Sequence, residues 1–364
     1  VVSSQDVHYS VKSGGSMMLG STELVYSNHV PNTPYKLGFF SGEVLRFEEG
    51  SEFKGEDFWD EHRPLQLNAG EQKFIAIADS IDNYLGSDEY FRQLDSAFNK
   101  INWYSPLAGV GHRNREKGRE WYVAGLVEQI NPVGIGGYRH RLPGHIHQIM
   151  SNNTRVELDG FVDYGFRNRD VKGRVGLGWT YDPSKSRRAY VRVGDYFELI
   201  NTFASIEQIF SRSNYVRTKT IYLSHRMELF NGLFAEIGFD YADQQPLKDL
   251  QLANWSNELF GELNEPADFD RYTKSELQIE LLYRINQKYV WKRGYKEILG
   301  TDYPTLGIKY RKGIPTLFDS ETDFDYLEIY AEHDWNVARW GMMHWKVQMA
   351  SFVNKANLRL LEHR

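Results

Sequence analysis

The stretch Arg155 to Tyr181, RVELDGFVDYGFRNRDVKGRVGLGWTY, constrains the fold more than any other. Its first half is apolar at even positions (Val156, Leu158, Val162, Tyr164, Phe166) and its second half at odd ones (Val171, Val175, Leu177, Trp179, Tyr181). Alternation with period two is strand geometry, and a change of parity is what an antiparallel turn produces. A two-residue turn at Asn168-Arg169 puts Phe166 opposite Val171, Val162 opposite Val175 and Leu158 opposite Trp179. The other face then pairs Arg167 with Asp170 and Asp163 with Arg174, opposite charges on both rungs. One register serves both faces at once. The expectation is a long hairpin with one apolar side and one charged side.

The same rhythm recurs. Ile221, Leu223, Met227 and Leu229 alternate up to Asn231-Gly232, and Leu233, Ala235, Ile237 and Phe239 alternate after it. Matching those faces calls for a three-residue loop with the glycine in a bulge. Leu277, Ile279, Leu281, Tyr283 and Ile285 oppose Glu276, Gln278, Glu280 and Arg284, and Met343, Trp345, Val347 and Met349 oppose His344, Lys346 and Gln348. GREWYVAGLVEQI and GGYRHRLPG read as weaker, glycine-rich strands. About ten to twelve strands of around ten residues follow residue 101, longer than the ~5–6 residues usual in globular sheets. Tight turns near 168, 183 and 231 and longer links at 199–215, 244–272 and 286–303 suggest turns at one rim and loops at the other.

A mean hydropathy of −0.56 and 41% apolar residues would by themselves indicate a soluble chain. No apolar run approaches the ~18 residues of a membrane helix, which excludes helical spans but not a barrel, whose alternating strands dilute hydropathy. A soluble β-sandwich also alternates. Here the face carrying Lys274, Glu276, Glu280 and Arg284 is too charged to lie under a second layer and suits a wet lumen. The fold expected is therefore all-β, a transmembrane antiparallel β-barrel with C-terminal strands missing. The residues expected to face the membrane are Val156, Leu158, Val162, Tyr164, Phe166, Val175, Leu177, Trp179, Ile221, Leu223, Ile237, Phe239, Leu277, Ile279 and Leu281. Asp163, Arg174, Arg167 and Asp170 are expected to form lumen pairs. Trp121, Tyr164, Trp179, Tyr181, Tyr222, Tyr241, Tyr283, Trp335 and Trp345 sit at or near strand ends, as an interfacial girdle would.

Residues 1–60 read as a β-rich pre-barrel segment, 61–101 as two short amphipathic helices and 102–364 as the barrel. Phe74, Ile77, Ala78 and Ile81 share one helical face, and Phe91, Leu94, Phe98 and Ile101 another, with Ser87 as a cap. Both helices are expected to pack against the body of the protein. No secretory signal stands at Val1, so the chain begins after processing or inside a longer protein.

Chemistry is sparse. There is no cysteine, hence no disulfide or thiolate metal site, and a net charge of −6 spread along the chain gives no footprint for nucleic acid. Arg139, His140, Arg141, His145 and His147 cluster; His145 and His147 share a strand face and could offer zinc two imidazoles, but no third ligand is apparent nearby. Rim or lumen histidines are the better reading. Glu321, Asp323 and Asp325 lack the glycine and closing glutamate of a calcium loop. GIGGY and GLGW are strand glycines, fitting twist or close packing rather than a dinucleotide fingerprint. Asp60-Glu61 is a carboxylate pair with nothing to fix its separation. GxSxG, HExxH and P-loop motifs are absent, so no enzyme, metal or cofactor is expected.

Four stretches carry a family likeness: FWDEHRPLQL with GEQKFIAIADSI, INPVGIGGYRHRLPG, LDGFVDYGFRNRDVKGRVGLGWTY, and YPTLGIKYRKGIPTLFDSETDFDYLEIYAEHDW. Together they span most of residues 57–336, and the third is the most specific. The chain resembles an outer-membrane barrel family of Bacteroidota whose members carry an N-terminal carboxypeptidase-regulatory-like domain. Arg139-His140-Arg141 departs from it by being more basic. The resemblance implies a barrel similar to the Omp85 superfamily, a periplasmic lead-in, and contact with outer-membrane lipid or lipopolysaccharide. It also implies a non-enzymatic part in outer-membrane protein assembly, insertion or export, in a complex with other outer-membrane proteins or lipoproteins. A porin-like channel and a surface glycan-binding β protein are the alternatives. Family members continue before Val1 and after Arg364, so the chain is expected to be incomplete.

Overall fold

The structure, a computed structural model, describes residues 4–13, 16–26, 30, 32–35, 42–47, 54–63, 66–131, 138–150, 152–201, 212–248, 265–292, 295–337 and 341–363. In chain order the elements are β1 (Ser4–Ser13), β2 (Ser16–Val25), β3 (Glu43–Arg46), α1 (Glu56–His62), α2 (Ala69–Leu85), α3 (Asp88–Asn99), α4 (Ser105–Ala108), β4 (Gly109–Asn114), β5 (Arg119–Ala124), α5 (Leu126–Gln129), β6 (Ile130–Asn131) and β7 (Arg139–Ile149). Then follow β8 (Arg155–Gly165), β9 (Asp170–Asp182), β10 (Arg187–Leu199), β11 (Tyr215–Phe230), β12 (Leu233–Gln245), β13 (Tyr272–Arg284), β14 (Lys288–Lys292), β15 (Tyr295–Gly300), β16 (Thr305–Gly313), β17 (Asp323–Asn336) and β18 (Met342–Asn357).

The chain divides into two units, Val1–Ser41 with Phe47–Ile81, and Gly42–Arg46 with Asp82–Arg364. The first holds the β1–β2 hairpin, α1 and most of α2. The expected 61–101 helical segment is thus split, and α3 belongs with the strands. A further helix, α1, spans the expected boundary at residue 60 between the β-rich and helical sections.

The larger unit is built on one 13-stranded antiparallel sheet in the order β18-β17-β16-β13-β12-β11-β10-β9-β8-β7-β5-β4, with β6 also on β7. β18 and β4 form its sides, and no further strand pairs with either among the described residues. β14 and β15 leave this sheet and join β3 in a three-stranded one. No helix among the described residues is long and apolar enough to cross a membrane.

The β8–β9 hairpin forms, but its register is displaced by two residues from the sequence expectation. Leu158 lies opposite Leu177, Val156 opposite Trp179 and Asp163 opposite Lys172. Gly165 pairs with Asp170, so the turn is Phe166 to Arg169 rather than Asn168-Arg169. The favoured two-residue turns need positive φ at the first central residue, here Asn168, whereas only Arg169 (φ 52°) takes it, as fits a four-residue loop. A shift of two preserves the faces, which is why the pattern could not exclude it. The β11–β12 turn, by contrast, is shorter than expected. Phe230 pairs with Leu233 across Asn231-Gly232, and the extra residue is Leu229, bulged within the strand. Gly232 has φ +88°, and a Cβ there would stand 2.4 Å from the Arg284 carbonyl oxygen.

GREWYVAGLVEQI is not one strand: β5 stops at Ala124, α5 follows, and only Ile130-Asn131 returns to the sheet. The turn–loop alternation holds for 183 and 231 against 200–214 and 246–271. It breaks at 166–169, which shares an end with the long connections, and at 285–304, which shares an end with the tight turns. The arms β14 and β15 occupy that second link. Trp255, Phe260 and Gly134, Gly136 and Gly137 of GIGGY lie outside the described residues, as does the side chain of Asp60.

Ser87 caps α3 as read from the sequence, its hydroxyl accepting from the Tyr90 amide at 3.2 Å. α2 has a reciprocal cap that the sequence reading missed: Glu71 N–H donates to Asn68 Oδ1 (2.9 Å) while Asn68 N–H donates to the Glu71 carboxylate (2.8 Å). The apolar face of α2 is not packed away, since Phe74, Ile77 and Ile81 are all exposed. Replacing Ser87 by Ala should cost about 1 kcal/mol locally. Faster hydrogen exchange at the Tyr90 and Phe91 amides, without change elsewhere in the sheet, is the expected readout.

Candidate functional site

The sheet is organised inside out. Every residue assigned to its apolar face is exposed or half-buried: Leu158, Val162, Tyr164, Phe166, Val175, Leu177, Trp179, Ile221, Leu223, Ile237, Ile279 and Leu281 are exposed, while Val156, Phe239 and Leu277 are half-buried. Behind them are acidic and basic side chains with almost no exposure, among them Asp163 (0%), Arg139 (1%), Glu276 (0%) and Glu362 (1%). A water-soluble sheet does the reverse.

Aromatics bracket the apolar band at two levels. At the end of the sheet carrying Arg139, Gly165 and Gln245, Tyr138 stacks on Phe166 (5.5 Å), Phe166 meets Tyr164 (5.1 Å), and Tyr241 meets Phe318 (5.8 Å). At the opposite end Trp179 meets Tyr181 (5.3 Å), Phe230 meets Tyr283 (6.2 Å) and Trp335 meets Trp345 (6.1 Å), with Trp121 at a similar level. From Val171, opposite Tyr164, to Trp179 is about 27 Å of strand. At a tilt of ~40° that is about 20 Å, close to the ~25 Å apolar band of an outer-membrane barrel. Tyr222 is a correction. It lies on the polar face, under the Arg192 guanidinium (5.0 Å) and beside Tyr190 (6.3 Å).

The lumen pairs expected from sequence are replaced by a longer ladder. Arg139 donates to Asp163 through Nε (2.9 Å) and Nη2 (2.7 Å) and to Asp170 through Nη1 (2.7 Å). Arg141 reaches the other Asp163 oxygen (3.1 Å). Lys172 stands 3.9 Å from Asp170 and 3.0 Å from Asp195, which also accepts two bonds from Arg217 (2.9 and 2.7 Å). Seven charges of alternating sign thus cross β7, β8, β9, β10 and β11. Asp195 and Arg217 follow the apolar parity of their strands, but sit where the β9–β10 pairing stops at Asp195–Gly173. Arg174 does not pair with Asp163; it faces Phe161 and Tyr196. Arg167 is exposed in the turn and is not the partner of Asp170.

A second network lies on β12, β13 and β16. Lys274 contacts Asp240 (3.3 Å), Glu276 (3.4 Å) and Glu362 (3.3 Å). Arg311 grips Glu276 with two bonds (2.7 and 3.0 Å), and the Tyr272 hydroxyl donates to Glu362 (2.9 Å). Glu362 belongs to the turn Leu360–His363, which is drawn onto the polar face by these bonds and by Leu361 packing on Val216 and Tyr272. At the tight-turn end, Glu228 binds Lys296 (2.6 and 2.7 Å), Gln287 (2.8 Å) and the Gly232 amide (2.9 Å). β3 joins there: the Arg46 guanidinium (2.7 Å) holds the Glu43 carboxyl below its ordinary range, and burial raises the Tyr289 hydroxyl beside it.

The GLGW glycines give close packing. A Cβ at Gly176 would stand 2.3 Å from the Tyr190 hydroxyl, and one at Gly178 2.9 Å from Arg188 Nη2. Both side chains cross β9 there to reach Asp159 (3.4 Å) and Glu157 (2.8 Å) on β8.

Of the possible cation ligands, Glu321, Asp323 and Asp325 are taken up separately by Arg359 (2.8 Å), Asn354 (2.9 Å) and Lys312 (3.0 Å). His140 accepts or donates to the Tyr138 hydroxyl (2.7 Å) on the apolar side. His145 and His147 do gain a third donor, Glu120, placed opposite His147 by the β5–β7 pairing. One ligand atom from each of the three lies within 4.8 Å of the others, a grouping that arises once among the described residues. The signal missed in the sequence was register between two strands separated by α5 and β6.

No curated protein and no solved structure matches the chain. Residues 104–364 match the C-terminal domain of a family of unknown function, DUF5686, and the chain belongs to that family.

Proposed function

We propose that the 13-stranded sheet is the wall of an outer-membrane β-barrel acting without catalysis in the assembly, insertion or export of other outer-membrane proteins. The observation that carries the membrane reading is the apolar, water-exposed face backed by buried ion pairs. Lipid satisfies such a face and water does not. The two aromatic levels support it, and they favour a lipid interface over glycan binding, since the rings bracket an apolar band instead of gathering in one patch.

A protein-handling role rests on the likeness to outer-membrane barrels similar to the Omp85 superfamily. The channel reading draws on the charged inner face. It is less well supported, because Asp163, Arg139, Lys274 and Glu276 are buried in mutual ion pairs rather than lining water.

Two measurements on the full-length protein test this. Unboiled samples should migrate differently from boiled ones on a gel; identical migration, with release from membranes by alkaline carbonate, would remove the barrel. A mild-detergent pull-down from the native membrane should recover assembly or export components at near-equal amounts. Recovery alone, with single-channel conductance in planar bilayers, would replace the assembly role by the channel.

A further inference from the structure

β7 carries His145 and His147 two residues apart on the face opposite exposed Ile146, and β5 sets Glu120 opposite His147. The imidazoles lie parallel, with centroids 6.2 Å apart and an interplanar angle of 6°. Glu120 and His147 are half-buried and His145 is exposed, so the cluster is open to solvent on one side. The ordinary account is a carboxylate satisfied by Arg113 beside two hydrated histidines. The way Arg113 is fixed goes further than that account requires.

Arg113 Nε donates to Glu120 Oε2, and a carboxylate oxygen of Glu120 lies within 4.8 Å of a ring nitrogen of each histidine. The guanidinium is itself clamped. It lies 4.1 Å from the centre of the Phe98 ring, and Asn99 brackets its backbone, donating to the Arg113 carbonyl (2.9 Å) and accepting from its amide (2.6 Å). A carboxylate oriented by a rigid cation and set beside two imidazoles has the layout of a metal ligand held by an outer shell. Tyr122 packs against His145 (5.6 Å) while its hydroxyl is engaged with the Ala108 carbonyl, so it fills space without competing as a ligand. Asp159, across from His145 on β8, is occupied by Tyr190.

We propose that Glu120, His145 and His147 bind a divalent transition-metal ion of the zinc class, with water completing its coordination. Two imidazole nitrogens and one carboxylate oxygen suit Zn2+ and its neighbours, whereas Ca2+ and Mg2+ take oxygen ligands. Metal–ligand bonds of about 2.1 Å in a tetrahedron set donors roughly 3.4 Å apart. The present grouping closes to that by side-chain rotation, which exposed His145 can make. Bound metal would fasten the start of β5 to β7. The site does not depend on the membrane reading, since it needs only the β5–β7 pairing.

The test is titration of the full chain in detergent, stripped with a chelator, with Zn2+ against a chromophoric competitor. One equivalent should bind. Glu120→Gln, His145→Ala and His147→Ala should each weaken binding by about 100-fold or more, while Asp159→Asn changes it by less than about threefold. Cu2+ bound to the same protein should show two nitrogen couplings in its paramagnetic resonance spectrum, falling to one in either histidine variant. Far-ultraviolet circular dichroism and unboiled gel mobility check that each variant is folded. Absence of one-equivalent Zn2+ binding overturns the site, as does wild-type affinity in the His145→Ala/His147→Ala double variant. Loss in the histidine variants with none in Glu120→Gln also overturns it, because the carboxylate is then not a ligand.

Discussion

Asp163→Leu should destabilise the folded protein by about 3–5 kcal/mol, because it leaves the buried Arg139 guanidinium short of the carboxylate that takes two of its bonds. Arg139 and Asp163 are 1% and 0% exposed, so water cannot replace the missing partner. Asp170 still accepts one bond from Arg139, which sets the loss toward the lower part of that range. Adding Arg139→Leu should recover at least half of it, since two apolar side chains of similar bulk then replace a buried pair. Adding Arg174→Leu instead should recover nothing. The measurement is the urea midpoint of unfolding in detergent, read as a double-mutant cycle. Coupling of Asp163 to Arg174 rather than to Arg139 would restore the register that the sequence alone suggested and discard the ladder.

That contrast marks what periodicity can and cannot carry. Which face of each strand is apolar was legible, because period two is imposed by the backbone and no tertiary detail alters it. Register was legible only modulo two. The positions flanking the β8–β9 turn offer acceptable charge pairs in either alignment, so the decision fell to the loop, where Arg169 alone adopts positive φ. The bulge at Leu229 was misplaced for a related reason: a parity mismatch says that one residue is extra, not where it sits. Contacts between strands distant in sequence were invisible. Nothing near His145 announces Glu120, and nothing near Arg139 announces Asp170. β5 was misread because VAGLVEQI is apolar enough to continue a strand, yet Gly125 sits against the Leu107 carbonyl, where a Cβ would be only 2.0 Å away, and α5 begins there.

The buried charges also bear on how the sheet could work. Each cation of the ladder touches two carboxylates or shares one with a neighbour, so no member can leave without exposing another. The same holds for Lys274, Glu276, Arg311 and Glu362, which bind the turn Leu360–His363 to β13 and β16. Such networks are costly to break and contribute little net stability when intact, which makes them better suited to fixing one arrangement of strands than to strengthening it. Such fixing gives the sheet one shape, whatever passes beside it.

Val175→Arg should separate the membrane reading from every soluble one. Val175 sits on the apolar face between the two aromatic levels and is 50% exposed. If water covers that face, an arginine there is a surface substitution within about ±0.5 kcal/mol of neutral. If lipid covers it, a cation near the midplane costs about 2–4 kcal/mol, roughly a 30- to 1000-fold shift against insertion. The expected result is loss of the fast-migrating unboiled band and a shift of the protein from the outer-membrane fraction to aggregate or degradation. Glu236→Arg supplies the control. Glu236 lies on the polar face between Glu280 on β13 and Arg226 on β11, so the substitution gains one opposite-charge rung, loses another and should be tolerated. Damage from both would show that any arginine in these strands is harmful and would leave the apolar face without its lipid. Damage from Val175→Arg alone is what a bilayer on that face requires, because only there does the solvent, rather than a neighbouring side chain, penalise the charge.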